Sequence, residues 1–169
     1  MATIVLREVA QDNWRATLQL AVHPDQQRFI ADYVPIAAIA LAKAFIRPDG
    51  LIWVPYAIYA DADMVGFIEL AYALNSPDRY WVYHFFIDHR HQGKGYGKAA
   101  LQAFIQLVKD QHPSCQQIKL TVHPENRRAQ ALYTGVGFRP TGGEQFEEPV
   151  YMLRVRDVVG DLQMPFTAS

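Results

Sequence analysis

Apolar residues change their spacing along this chain, and each change marks an element. Ile4, Val5, Leu6 and Val9 make a short run that predicts a strand over residues 4–9. Asp12 then offers an N-cap for a helix through Trp14, Leu18 and Leu20. After Pro24 the residues Phe29, Ile30, Val34, Ile36, Ile39, Ala40 and Phe45 recur at helical intervals, giving a second helical stretch with one broad buried face, broken at Pro35. Pro48-Asp49-Gly50 closes it as a turn.

From Trp53 the period shortens. Residues 53–60, 64–74 and 79–88 are rich in β-branched and aromatic residues, and Asp61-Ala62-Asp63 separates the first two, so the region predicts an antiparallel meander. A glycine-rich loop leads into a helix over residues 97–109, with Ala100, Leu101, Phe104, Ile105 and Val108 on one side. A strand over 117–122 and a short helix over 126–134 follow, the latter stopped by Gly135 and Gly137. One or two strands complete the chain, the clearest at 150–155. There is no internal repeat and no long linker, so residues 1–169 read as a single domain of the α/β (α+β) class around a central sheet.

Composition narrows the function classes. Sixteen basic residues against 17 acidic ones leave a net charge of -1, which gives no global field for nucleic acid or a membrane surface. The single cysteine, Cys115, rules out an intrachain disulfide and a cysteine zinc cage, in keeping with a reducing cytoplasm. Arg7 and Glu8 interrupt the first residues where a secretion signal needs an apolar core. Ile36 to Ile46, the longest apolar stretch, carries Lys43 and is too short to span a bilayer. A soluble cytoplasmic protein without a metal is expected, and Cys115, with His112 nearby but no spaced acid, reads as an ordinary thiol.

The chemistry concentrates between Phe85 and Lys98. A buried strand runs through a basic turn, with Gly93, Gly95 and Gly97 alternating, into a helix whose first amides lack internal partners. Phosphate is the natural guest, with Lys94 and Lys98 adding positive charge. A dinucleotide fingerprint fails because Lys98 stands where its third glycine belongs. A nucleotide-triphosphate loop fails because Ala99 follows Lys98 and Gln92 replaces the leading glycine.

The remaining pattern, Gln-x-x-Gly-x-Gly at Gln92, Gly95 and Gly97, resembles the coenzyme A pyrophosphate loop of the GNAT superfamily of N-acetyltransferases. Asn126 and Tyr133, followed by Gly135 to Phe138, resemble that family's helix after the fifth strand. The resemblance implies the GNAT fold, a central mixed and mostly antiparallel twisted sheet of about six or seven strands flanked by about four helices. It implies acetyl-coenzyme A as cosubstrate and direct transfer of the acetyl group to an amine. It also implies that Phe85, Phe86, Ile87, Gln92, Gly93, Lys94, Gly95, Tyr96, Gly97, Lys98, Asn126 and Tyr133 hold the cofactor, and that Tyr133 protonates the departing thiolate. Asn126 also suits the N-cap of its own helix.

The base is open among Tyr83, His84 and Glu69, and strand alternation places Tyr83 and Phe85 on one face and His84 on the other. His89 and His91 read as solvated loop residues. Residues 9–45, with Asp12-Asn13-Trp14 and Gln27-Arg28-Phe29-Ile30-Ala31, and residues 88–100 look like bacterial spermine and spermidine acetyltransferases, although Tyr83 stands where those tend to carry an acid. That resemblance implies a small polyamine or diamine acceptor, with Glu69, Asp32, Glu144, Glu147 and Glu148 as candidate acids for it. A protein or peptide N-acetyltransferase and a non-catalytic coenzyme A sensor are the alternatives. A homodimer through Trp53, Tyr72 and Met164-Pro165-Phe166 is a further expectation.

Overall fold

The computed structural model describes residues 1–30 and 35–156. Seven strands, β1 (Ile4–Glu8), β2 (Ile52–Ala60), β3 (Asp63–Tyr72), β4 (Tyr80–Ile87), β5 (Gln117–Thr121), β6 (Arg139–Gln145) and β7 (Glu148–Arg154), form one sheet in the order β1-β2-β3-β4-β5-β7-β6. Every neighbouring pair is antiparallel except β4 and β5, which are parallel because α3 (Tyr96–Gln111) carries the chain back between them. The expected mixed, mostly antiparallel sheet is therefore present, with two strands rather than one after α4 (Arg127–Val136).

The sheet is covered on both faces. On one side α3 and α4 bury Leu101, Phe104, Val108 and Tyr133 against Ile58, Ile68, Leu70 and Val82. Each large aliphatic or aromatic side chain so covered contributes roughly 1.5–3 kcal/mol. On the other side α2 (Ile36–Ile46) lays Ile36, Ala37 and Ala40 against Phe67 and Phe86. Trp53 belongs to that layer, packed with Leu51 and Ala71, and Tyr72 stacks on Tyr80 at 5.4 Å. Both expected dimer-surface residues are thus committed to packing, while Met164-Pro165-Phe166 and Asp32 lie outside the described residues.

Two helical expectations need correction. The first helix, α1 (Trp14–Thr17), is a single turn whose N-cap is Asn13 rather than Asp12. Asn13 is buried and turns its Oδ1 back to accept from the Ala10 amide at 2.7 Å, pinning the exit from β1. The stretch after Pro24 is a tight 3-10 turn over Pro24–Phe29, and Pro35 then caps α2 at φ -74°, ψ 141°, an extended conformation that keeps the two apart.

Candidate active site

The parallel pairing of β4 with β5 is confined to Trp81 opposite Lys119, and past that point the strands part. Phe86 pairs with Phe67 of β3, and the Asp88 amide donates to the Val65 carbonyl at 2.8 Å. Ladder alternation then turns the backbone groups of Phe85 and Ile87 toward the gap. One of these is already engaged, since the Ile87 carbonyl accepts from Gln92 Nε2 at 3.0 Å.

Below the gap lies a cavity of about 540 Å³, within the ordinary range for small-molecule sites. All the residues expected to hold the cofactor line it except Lys94, which points outward with its Nζ 5.9 Å from the Tyr96 ring. His91, expected on a solvated loop, lines it as well, whereas His89 is exposed. The loop adopts the shape its glycines allow, Gly93 at φ +78° and Gly95 at φ +81°, with Gly95 as the N-cap of α3. Among the described residues, none of the amides from Gly93 to Lys98 donates a hydrogen bond within the chain. These amides stand at the positive end of α3 beside Lys98.

Gln92 braces the loop. Its amide group exchanges hydrogen bonds with Gln26 at 2.8 and 3.1 Å, and its Oε1 also accepts from Arg128 at 3.3 Å. Asn126 caps α4, with its Oδ1 accepting from the Ala129 amide at 3.1 Å, and lines the cavity too, so its two expected roles coexist. Arg127 and Arg128 also line the cavity; the sequence shows them only as helix charges, because nothing in their spacing places them opposite the glycine loop.

Tyr133 closes the inner end of the cavity. Its ring lies 6.4 Å from that of Phe85, and burial, reinforced by the charge of Glu148, pushes its phenol well above the ordinary range. It is therefore a neutral phenol at neutral pH. A second, smaller cavity of about 120 Å³ is lined by Tyr133, Tyr83, His84 and Glu148 together with Phe29 and Ile30. The two spaces share Phe85 and Tyr133 in their walls.

The expected alternation in β4 does not hold. Phe67 pairs with Phe86 and Glu69 with Tyr83, so two residues of β4, His84 and Phe85, stand opposite Ile68 alone. This is a β-bulge, and His84 takes φ +49° to form it. The extra residue shifts the phase: Tyr83 and His84 both turn toward α2, and Phe85 points to α4. Tyr83 packs on Trp53 at 4.9 Å, and burial together with Asp49 raises its phenol, which keeps it neutral at neutral pH.

The bulge also assembles a group that crosses three elements. His84 Nε2 lies 3.2 Å from Lys43 Nζ of α2 and 3.9 Å from Glu69 Oε1 of β3. Glu69 is fully buried, and among the described residues neither carboxyl oxygen has a hydrogen-bond partner. Burial lifts it to about 8, against the pull of Lys43, and the same burial lowers His84 to about 4. Lys43 is likewise lowered by burial, with Glu69 and Asp49 acting against that shift. Elsewhere, burial pushes Cys115 up to about 11, leaving an inert thiol.

Residues 6–138 match the Acetyltransferase (GNAT) family. The spermine/spermidine N(1)-acetyltransferase of Bacillus subtilis (strain 168) is 32% identical, over 90% of this chain and 98% of its own. The spermidine N-acetyltransferase of Vibrio cholerae, solved with CoA and spermine, superposes with a TM-score of 0.67 at 18% identity, covering 88% of this chain and 92% of that one. A Salmonella typhimurium acetyltransferase that modifies the N-terminal serine of a 50S ribosomal subunit protein superposes with a TM-score of 0.71 at 16% identity, covering 91% and 96%. At such identities the two superpositions describe a common fold.

Proposed function

This chain belongs to the acetyltransferase (GNAT) family, and on that footing we propose that it transfers the acetyl group of acetyl-coenzyme A directly to a small primary amine, with a polyamine or diamine as the preferred acceptor. The observation that carries the reading is the set of unbonded amides in the loop from Gly93 to Lys98, which, Lys94 aside, lines a cavity that ends at a neutral tyrosine. Those amides and Lys98 suit a diphosphate, and the gap between β4 and β5 suits an extended arm reaching toward Tyr133.

When bound, the cosubstrate supplies an activated acyl group on a good thiolate leaving group. The chain's residues handle the protons. The acceptor enters as an ammonium and must lose one proton before its lone pair is free, and the second leaves nitrogen as the carbon–sulfur bond breaks. Tyr133 protonates the thiolate and is restored by that second proton. The first passes to the buried carboxylate of Glu69 and from there to solvent, for a net release of one proton. Because Glu69 is fully buried, the proton reaches it past the His84 ring, which lines the small cavity and stands 3.9 Å from Glu69 Oε1.

A cationic acceptor is supported by Glu148 in that cavity, whereas Glu144 near the end of β6 and Glu147 in the β6–β7 turn are exposed. The 32% identity with a spermine/spermidine acetyltransferase supports the same choice. The test is thiol release from acetyl-coenzyme A with polyamines, single amino acids, aminoglycosides and peptides. Polyamines are expected to give the largest kcat/KM; a peptide winning the panel reassigns the acceptor, and silence across the panel leaves a coenzyme A sensor.

A further inference from the structure

Lys43 lies outside the motifs that mark the family, yet it is the cation set against the buried carboxylate. It reaches from α2 between the rings of Trp53 (4.8 Å) and Tyr83 (5.1 Å) to His84 at 3.2 Å. We propose that Lys43 is a positioning residue that offsets part of the burial cost of ionising Glu69 and disfavours a charge on His84, so that the ionised form of the Lys43-His84-Glu69 cluster is within reach at working pH and can take the proton of the acceptor ammonium. This inference rests on the acetyltransferase reading and adds to it the residue that sets the working pH of its base.

Three observations converge on this. The bulge holds His84 at φ +49°, a conformation that a β-strand does not need, and thereby brings it to the α2 side beside Lys43. Glu69 is fully buried and, among the described residues, neither of its oxygens has a hydrogen-bond partner, an arrangement that costs stability and is found where a group has work to do. And His84 is shared between this cluster and the wall of the small cavity, so the carboxylate is joined to the place where an amine meets Tyr133.

Among the described residues the charged and titratable groups around Lys43 are Glu69 from β3, His84 and Tyr83 from β4, and Asp49 from the turn after α2. In the working state Glu69 is a carboxylate, His84 a neutral imidazole and Lys43 an ammonium. One proton leaves the acceptor and converts Glu69 to the carboxylic acid, raising the charge of the cluster from zero to plus one. Lys43 keeps its own proton throughout. Product release lets the cluster return the proton to solvent.

Removing the ammonium removes the only cluster cation that favours ionised Glu69, so the carboxyl pKa must rise. The experiment compares wild type, Lys43→Met and Lys43→Arg in two measurements. In the first, the Glu69 carboxyl is titrated by carbon-13 NMR in the protein alone. The midpoint is expected to move up by about one pH unit or more in Lys43→Met and to stay near wild type in Lys43→Arg. In the second, thiol release with spermidine is followed against pH. The acid limb of kcat is expected to shift alkaline by the same amount in Lys43→Met, with about a tenfold loss at pH 7 that is recovered at higher pH.

An unmoved Glu69 midpoint overturns the inference whatever the activity does. Activity lost equally at every pH overturns it too, because it makes Lys43 a packing residue. A wild-type enzyme that turns over no amine, while its Glu69 midpoint still depends on Lys43, instead removes the catalytic reading and leaves the electrostatic coupling standing.

Discussion

Burial keeps the Tyr133 phenol neutral, which the proposed role of proton donor requires. A phenol raised above its ordinary range keeps its proton in the resting enzyme, so it is available to hydrogen-bond the sulfur and to pass that proton as charge develops there, while the second proton of the amine restores it. Tyr133→Phe keeps the ring that packs on Phe85 and Phe138 and deletes only the hydroxyl. The expected outcome is a fall in kcat of about a hundredfold with little change in the Kd of acetyl-coenzyme A, read by steady-state kinetics and calorimetry. Equal activity in the two proteins takes the acid role away from Tyr133. Tyr133 was singled out by the resemblance of its helix to that of the family, but Lys43 was not legible: in sequence it is a break in an apolar helix, and only the return of β4 beside α2 gives it partners.

At the scale of elements, two local irregularities do the positioning. The loop from Gln92 to Gly95 places unbonded amides at the start of α3, and the bulge in β4 redirects His84. Gly95 combines φ +81° with open space where a side chain would project, so a substitution there meets strain but no clash. Gly95→Asn and Gly95→Asp share that strain, and both side chains tolerate the left-handed region. Their comparison isolates charge: the aspartate is expected to weaken coenzyme A binding at least about tenfold more than the asparagine, read as loss of thermal stabilisation by the ligand. Indistinguishable affinities place the diphosphate elsewhere. The loop could be read from its glycines; the bulge could not, because His84 is an ordinary strand residue until the register of β3 against β4 is known.

For the whole molecule, the buried cluster carries a cost in stability. Glu69 binds its proton more tightly folded than unfolded, with a pKa raised from 4.5 to about 8. Between those values the folded state holds more protons than the unfolded one, so stability falls as pH rises through that interval. Glu69→Gln removes the ionisation while keeping the shape. Its Tm relative to wild type is therefore expected to increase steadily from below pH 5 to above pH 8, alongside a loss of turnover. A Tm difference that does not vary with pH shows that the carboxyl titrates normally in the fold.

The amino-acid sequence by itself determined the order of elements, the glycine loop and the Asn126-to-Tyr133 helix, because each depends on local chemistry: periodicity, φ freedom, and a helix start with unbonded amides. Tertiary structure alone decided which side chains meet across the sheet. The parting of β4 from β5, the phase shift at His84 and the approach of Lys43 to Glu69 depend on strand register and on which helix covers which face. Those are contacts between residues far apart in the chain, and no local pattern encodes them.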